Sequence, residues 1–234
     1  MILATEDSIM EIQLGNETAK IFLIHYDPAS FSQESFISEA ITLPSTIARS
    51  VVKRQAEYFY GRLCAKFALN ALNVTRCDVG TGRQREPVWP GHVVGSITHN
   101  HEFAAAVASS SYVFSGIGID IEGTIEHEAI DAVLEISVSP RELAYLRTGL
   151  FTLSFEELLT IVFSVKESFF KAVFSEVGHY FDFGAVTVKN ICIETMQVTF
   201  EVNQILSSRF MPGTSWIAYF RYFDPKTVLT IFAW

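Results

Sequence analysis

The chain has 234 residues, 49% of them apolar and only 18% charged, which is too hydrophobic for a disordered protein and enough to bury a sizeable core. Seventeen basic against twenty-six acidic side chains give a net charge of −9, which excludes sequence-independent binding of nucleic acid over the whole surface. Cys64, Cys77 and Cys192 are odd in number and lack metal or redox spacing, so reduced, packed thiols are expected.

No basic start leads into an apolar run at the N-terminus, and no stretch reaches the roughly 18 uninterrupted apolar residues of a membrane span, so a cytoplasmic protein is expected. Residues 21–26 read as a short strand. Pro44-Ser45 opens a helical stretch to about residue 72, with Ile47, Val51, Phe59, Leu63 and Phe67 near helical spacing. Between Arg49 and Pro90 lie eight basic residues (Arg49, Lys53, Arg54, Arg62, Lys66, Arg76, Arg83, Arg85) against Glu57, Asp78 and Glu86. A local surplus of positive charge in an acidic chain points to a discrete anionic ligand, although any one of these residues serves equally well on a solvated helix face.

A turn-rich passage over residues 80–91 precedes strand-like segments at 93–97, 103–108 and 112–122. Ser139-Pro140 with Glu142 marks a helix start, and a longer helix is expected over 154–174. Strands follow at 185–188, 197–202, 215–222 and 228–233. A long helix followed by strands, twice over, predicts an α+β fold duplicated about a pseudo-twofold axis, each half a long helix on a small, mostly antiparallel sheet. The expected halves are residues 1–122, with the basic zone and an Asp-x-Glu strand, and residues 123–234, with a Lys-Glu helix.

Three clusters can carry chemistry. In Gly118-Ile119-Asp120-Ile121-Glu122 the alternation of a strand puts Asp120 and Glu122 on one face. Two carboxylates so close either face water or share a hard cation such as Mg²⁺, Mn²⁺ or Ca²⁺. On the helix through residue 166, Lys166 falls inside an apolar arc and Glu167 at its edge, so counter-charges, a metal or a charged ligand must meet them. Lys171, one turn on, makes either an ordinary i,i+4 pair with Glu167 or a catalytic pair. The third cluster runs from Gly95-Ser96 to His99 and His101 behind Arg83 and Arg85, and suits phosphate oxygens. His99 and His101 alternate onto one face, which leaves open a zinc phosphohydrolase using them with Asp120 and Glu122.

Taken in order, Arg85-x-Pro-x-Trp-Pro, Gly95-Ser-x-Thr-His99, Gly116-Ile-Gly-Ile-Asp120-x-Glu122 and Phe163-Ser-x-Lys166-Glu167-Ser-x-x-Lys171-Ala closely resemble the large, monomeric class of 4′-phosphopantetheinyl transferases. The subgroup resembled is that of the enterobactin-synthase activator, whose relatives serve siderophore, polyketide and fatty-acid synthases. The resemblance covers about residues 54–172. It implies two halves each similar to a subunit of the small carrier-protein synthases, and transfer of phosphopantetheine from coenzyme A to a serine of an apo acyl- or peptidyl-carrier protein. By the same resemblance Asp120, Glu122 and Glu167 would hold Mg²⁺, with Mn²⁺ able to substitute. Arg54, Arg62, Arg85, His99 and Lys171 would contact coenzyme A phosphates, and Glu167 and Lys171 would be catalytic. A family member that binds coenzyme A or a carrier without turnover is the non-enzymatic alternative.

Overall fold

In the computed structural model, residues 9–75 and 77–234 are described; residues 1–8 and Arg76, one of the eight basic residues above, lie outside them. The chain divides into two units, residues 1–117 with Trp234, and residues 118–233. No helix among the described residues is long and apolar enough to cross a membrane.

The first unit opens with a hairpin of which the sequence reading gave only the second strand, at residues 21–26. β1 (Ile9–Leu14) pairs antiparallel with β2 (Glu17–His25) through a two-residue turn in which Gly15 takes φ +65°, a conformation glycine adopts without a Cβ clash. Short helices α1 (Glu34–Ser38) and α2 (Ser45–Ala48) lead to α3 (Val52–Ala71). The single helix expected from Pro44 is therefore broken. Val51 is extended (φ −62°, ψ 153°), and the Gln55 amide donates back to the Ser50 carbonyl at 2.8 Å and the Ala48 carbonyl at 3.3 Å, satisfying acceptors that the break exposes.

A two-stranded hairpin, β3 (Gly80–Thr81) and β4 (Pro87–Val88), precedes β5 (Val93–His99) and β6 (Phe103–Ser110). The main sheet of this unit has the order β1-β2-β6-β5, antiparallel throughout. Ala104 and Ala106 on β6 present only methyl groups to α3, so Ala65, Ala68 and Leu69 seat closely, and the buried Cys64 thiol reaches the Ala104 carbonyl at 3.3 Å. Burial pushes the Cys64 thiol well above its ordinary pKa, in keeping with a packed, inert cysteine.

The second unit contains all but the first residue of β7 (Ile117–Gly123), then α4 (Ile130–Ser137), α5 (Pro140–Leu146), α6 (Phe155–Val177), and the strands β8 (Val186–Cys192), β9 (Gln197–Val202), β10 (Ser215–Asp224) and β11 (Thr227–Ala233). Its sheet has the order β7-β11-β10-β9-β8, with β8 to β11 an antiparallel meander. α6 starts at a capping box of Ser154 and Glu157 and stops at Gly178 (φ +74°). Phe169 anchors its buried face, packing edge-on against Phe200 and Phe210 and tilted against Phe232.

The α+β class is as expected, and each unit is one long helix against a sheet. The strand bearing Asp120 and Glu122 pairs beside β11, however, so it belongs to the second unit rather than to residues 1–122. Its segment is also shorter than the expected 112–122, because Ser110 and Tyr112 close a turn in which Val113 N donates to the Ser110 carbonyl at 2.9 Å.

Candidate active site

Within the first unit, α2, the start of α3, the β3–β4 hairpin and the end of β5 enclose an open cleft of about 800 Å³, and Arg54, Arg62, Arg85 and His99 all line it. α3 supplies the two deeper arginines at a spacing of eight residues, about two turns, so they share one face. Arg54 Nη1 lies 3.1 Å from Glu57 Oε2 and 3.0 Å from His99 Nε2. A guanidinium can only donate, so His99 Nε2 accepts and the ring proton sits on Nδ1 in this arrangement.

Arg62 stacks over the Tyr58 ring at 4.8 Å and donates from Nη2 to the Gly80 carbonyl and Thr81 Oγ1, both at 3.1 Å. Burial lowers its pKa from the ordinary guanidinium value, yet a group starting so high stays charged at neutral pH. Arg85 reaches the cleft from a left-handed residue, φ +70°, closed by a hydrogen bond from its N–H to the Gly82 carbonyl at 3.1 Å. A non-glycine residue held there is disfavoured by about 1–2 kcal/mol, a strain that local structure must offset. Two other basic residues of the zone bond to the main chain: Lys66 donates to the Glu39 carbonyl at 2.7 Å and Arg49 to the Ser45 carbonyl at 3.1 Å. Tyr58 and Thr81, which hold Arg62, were not singled out in the sequence; Tyr58 stands one turn before Arg62 on the same helix face, the one local signal that could have found it.

The second cluster lies in the second unit, where β7 meets α6. Gly118 makes the approach possible: a Cβ there would overlap the Ser168 carbonyl and come 2.5 Å from Ala172 N. The same strand face then presents Asp120, 3% exposed, to α6, and Lys171 Nζ donates to its Oδ1 at 2.6 Å. Ser164 Oγ, also from α6, donates to Asp120 Oδ2 at 2.8 Å. Lys171 therefore pairs across to the strand instead of serving only as a helical partner of Glu167.

Glu122 has its pKa raised, first by burial, then by Asp120, with Lys171 opposing and Glu167 adding. Glu167 is raised likewise by burial and by Asp120, and held down by Lys171. Three carboxylates that sense one another, with one ammonium among them, form an oxygen-only donor set short of positive charge. That donor chemistry fits a hard divalent cation. Among the described residues, nonetheless, no three His, Cys, Asp or Glu side chains stand already disposed to hold a metal ion.

Lys166 has a different role from the one its neighbours suggest. It is 3% exposed and bonded to the Ser137 carbonyl (2.8 Å) and the buried Glu142 carboxylate (2.9 and 3.0 Å), a structural ion pair. Its counter-charge is thus a protein group and neither a metal nor a ligand. His101 departs from His99 as well. β5 ends at His99, so the strand alternation stops, and His101 stands exposed beside Glu102 at 3.7 Å.

Residues 43–109 match the 4'-phosphopantetheinyl transferase N-terminal domain, and residues 116–213 match the 4'-phosphopantetheinyl transferase superfamily. The chain belongs to the 4′-phosphopantetheinyl transferase superfamily. It is 33% identical to enterobactin synthase component D of Escherichia coli over 154 residues, spanning 65% of this chain and 69% of that protein. It is 32% identical to 4'-phosphopantetheinyl transferase Npt of Nocardia iowensis over 67% of this chain and 64% of that one. The transferase PptT of Mycobacterium tuberculosis is 33% identical, over 67% of this chain and 63% of PptT. The two matched segments contain, respectively, the arginine-lined cleft and the Asp120–Lys171 cluster, so membership of a transferase family replaces the zinc phosphohydrolase considered above.

Proposed function

We propose that the chain is a Mg²⁺-dependent transferase that moves 4′-phosphopantetheine from coenzyme A to a serine of an apo acyl- or peptidyl-carrier protein and releases 3′,5′-ADP. The observation that carries this reading is Lys171 hydrogen-bonded to Asp120 among carboxylates that lack positive charge, in a chain of this family. Asp120, Glu122 and Glu167 would hold Mg²⁺; when bound, the ion supplies positive charge to the pyrophosphate oxygens on which negative charge accumulates.

The chain's own groups account for the remaining steps. Arg54, Arg62, Arg85 and His99 receive anionic oxygens of coenzyme A by charge-assisted hydrogen bonds, and a phosphate would compete with Glu57 for Arg54. Glu167 accepts the proton of the carrier serine as its oxygen forms the new bond to the β-phosphorus. The bond from that phosphorus to the bridging oxygen breaks, and Lys171 stabilises the charge that collects on the departing 3′,5′-ADP. Atoms balance with the serine proton on Glu167 and the electron pair on the leaving phosphate.

The decisive experiment is Glu167→Gln, which keeps shape and hydrogen bonding but removes the base. Full chain, coenzyme A, Mg²⁺ and a panel of apo-carrier proteins are incubated, and mass spectrometry follows addition of phosphopantetheine. The wild type should modify at least one carrier and lose that activity on chelation; a folded Glu167→Gln variant should be slower by roughly 10²-fold or more. Equal rates for the two proteins would remove Glu167 from the mechanism.

A further inference from the structure

Two hydroxyls stand behind Asp120, and neither has been given a role so far. Ser164 Oγ donates to Asp120 Oδ2 at 2.8 Å and lies 2.9 Å from Thr230 Oγ1, which in turn is 2.8 Å from the Ser164 carbonyl. Ser164 and Thr230 are both 0% exposed. The direction of the chain of bonds follows from proton counting. A carboxylate and a carbonyl only accept, so the single Ser164 proton goes to Asp120, and the single Thr230 proton goes to the Ser164 carbonyl and is at most shared with the Ser164 hydroxyl oxygen. Thr230 thus braces Ser164 at its carbonyl and its hydroxyl, and Ser164 holds Asp120.

This arrangement is not the one a buried helical hydroxyl adopts by default. Ser137 bonds back to the Val133 carbonyl (2.6 Å), Thr160 to the Glu156 carbonyl (2.7 Å) and Ser168 to the Val165 carbonyl (2.9 Å), each within its own helix. Ser164 instead directs its proton across to β7. Thr230 comes from β11 between the fully buried Leu229 and Ile231, a place where an apolar side chain would be simpler to accommodate.

We infer that Thr230 and Ser164 are positioning residues for the metal-holding carboxylate of Asp120, a reading that rests on the proposed role of Asp120 above. Lys171 fixes Oδ1 and Ser164 fixes Oδ2, so the carboxylate plane is set from both sides. A ligand already oriented has less freedom to lose on binding, and partners of this kind commonly change metal affinity by about 10–100-fold when removed.

The test reads metal binding without turnover. Mn²⁺ alone is titrated into the full chain and the free ion followed by electron paramagnetic resonance, for the wild type, Asp120→Ala, Ser164→Ala, Thr230→Val and Thr230→Ser. Thr230→Val keeps the shape and loses the hydroxyl, whereas Thr230→Ser keeps the hydroxyl. Ser164→Ala should bind about 10–100-fold more weakly. Thr230→Val should be weakened in the same direction, and Thr230→Ser should match the wild type. Wild-type affinity in a folded Ser164→Ala protein, with Asp120→Ala impaired, would overturn the positioning role alone. Unimpaired binding by Asp120→Ala would overturn the metal reading and the positioning role with it. Should Ser164→Ala fail to fold, the Thr230 pair decides, since equal losses in Val and Ser variants would assign the effect to packing and overturn the proposal.

Discussion

Replacing Lys166 by Met tests whether the Lys-Glu motif is one functional unit or two residues with separate tasks. Both members of the Lys166–Glu142 pair are almost fully buried, with side chains 2% and 1% exposed. Burial lowers the Lys166 pKa and the Glu142 charge opposes that fall, so the ammonium depends on its partner to remain charged. Removing one member of a buried pair commonly costs about 3–5 kcal/mol, because the other charge is left uncompensated. Here the loss should sit near the lower end. Glu142 would keep three donors, namely Val188 N at 2.7 Å and Ser139 N and Oγ, both at 2.8 Å. About 3 kcal/mol corresponds to a fall in Tm of roughly 6–12 °C for a chain of this size. Pairing Lys166→Met with Glu142→Gln should recover part of the loss, since no bare charge remains. Thermal and denaturant unfolding followed by circular dichroism measure the stability, and Mn²⁺ titration on the same preparations measures the site. A Lys166→Met protein as stable as the wild type but unable to bind Mn²⁺ would refute the reasoning and return Lys166 to the ligand site.

Arg62→Ala and Arg85→Gly should each weaken coenzyme A binding by about 10–100-fold, the scale of one or two charge-assisted hydrogen bonds, and the wild-type affinity should fall with added salt. Glycine is chosen at residue 85 because it relieves the left-handed strain, so that calorimetry reads the lost side chain alone; unchanged affinity in both variants would move the nucleotide site out of this cleft. Gly118→Ala should destabilise by about 1–3 kcal/mol and impair carrier modification, because α6 must retreat from β7 and take Lys171 away from Asp120. Wild-type denaturant unfolding and wild-type modification in that variant would show that the close approach at Gly118 is not required.

What the sequence made legible was what local periodicity and punctuation control. α6 announces itself by an apolar arc, a Ser-x-x-Glu capping box and a terminal glycine, and the Asp120/Glu122 face follows from alternation along one strand. β1 carries the same kind of signal, since Ile12 and Leu14 are buried and Glu11 and Gln13 exposed, but six residues ahead of the first recognised strand were too few to stand out. The break between α2 and α3 was hidden because no proline or glycine marks it; the Gln55 side chain, acting from the next turn, supplies the stop.

Partners are a different kind of information. Lys166, Glu167 and Lys171 lie within two turns, yet Lys166 finds Glu142, 24 residues away, and Lys171 finds Asp120, 51 residues away. Pattern alone could state that a buried lysine needs an anion, not which one. The same limit applies to Thr230, whose hydroxyl acquires meaning only when β11 is laid beside β7 and under α6. Gly118 joins the two levels. Its missing side chain is visible in the sequence, and its consequence, a helix backbone close enough for Lys171 and Ser164 to hold both oxygens of one aspartate, belongs to the packing. An Asp-x-Glu strand therefore becomes a candidate metal site through the glycine two residues before it and the helix that this glycine admits.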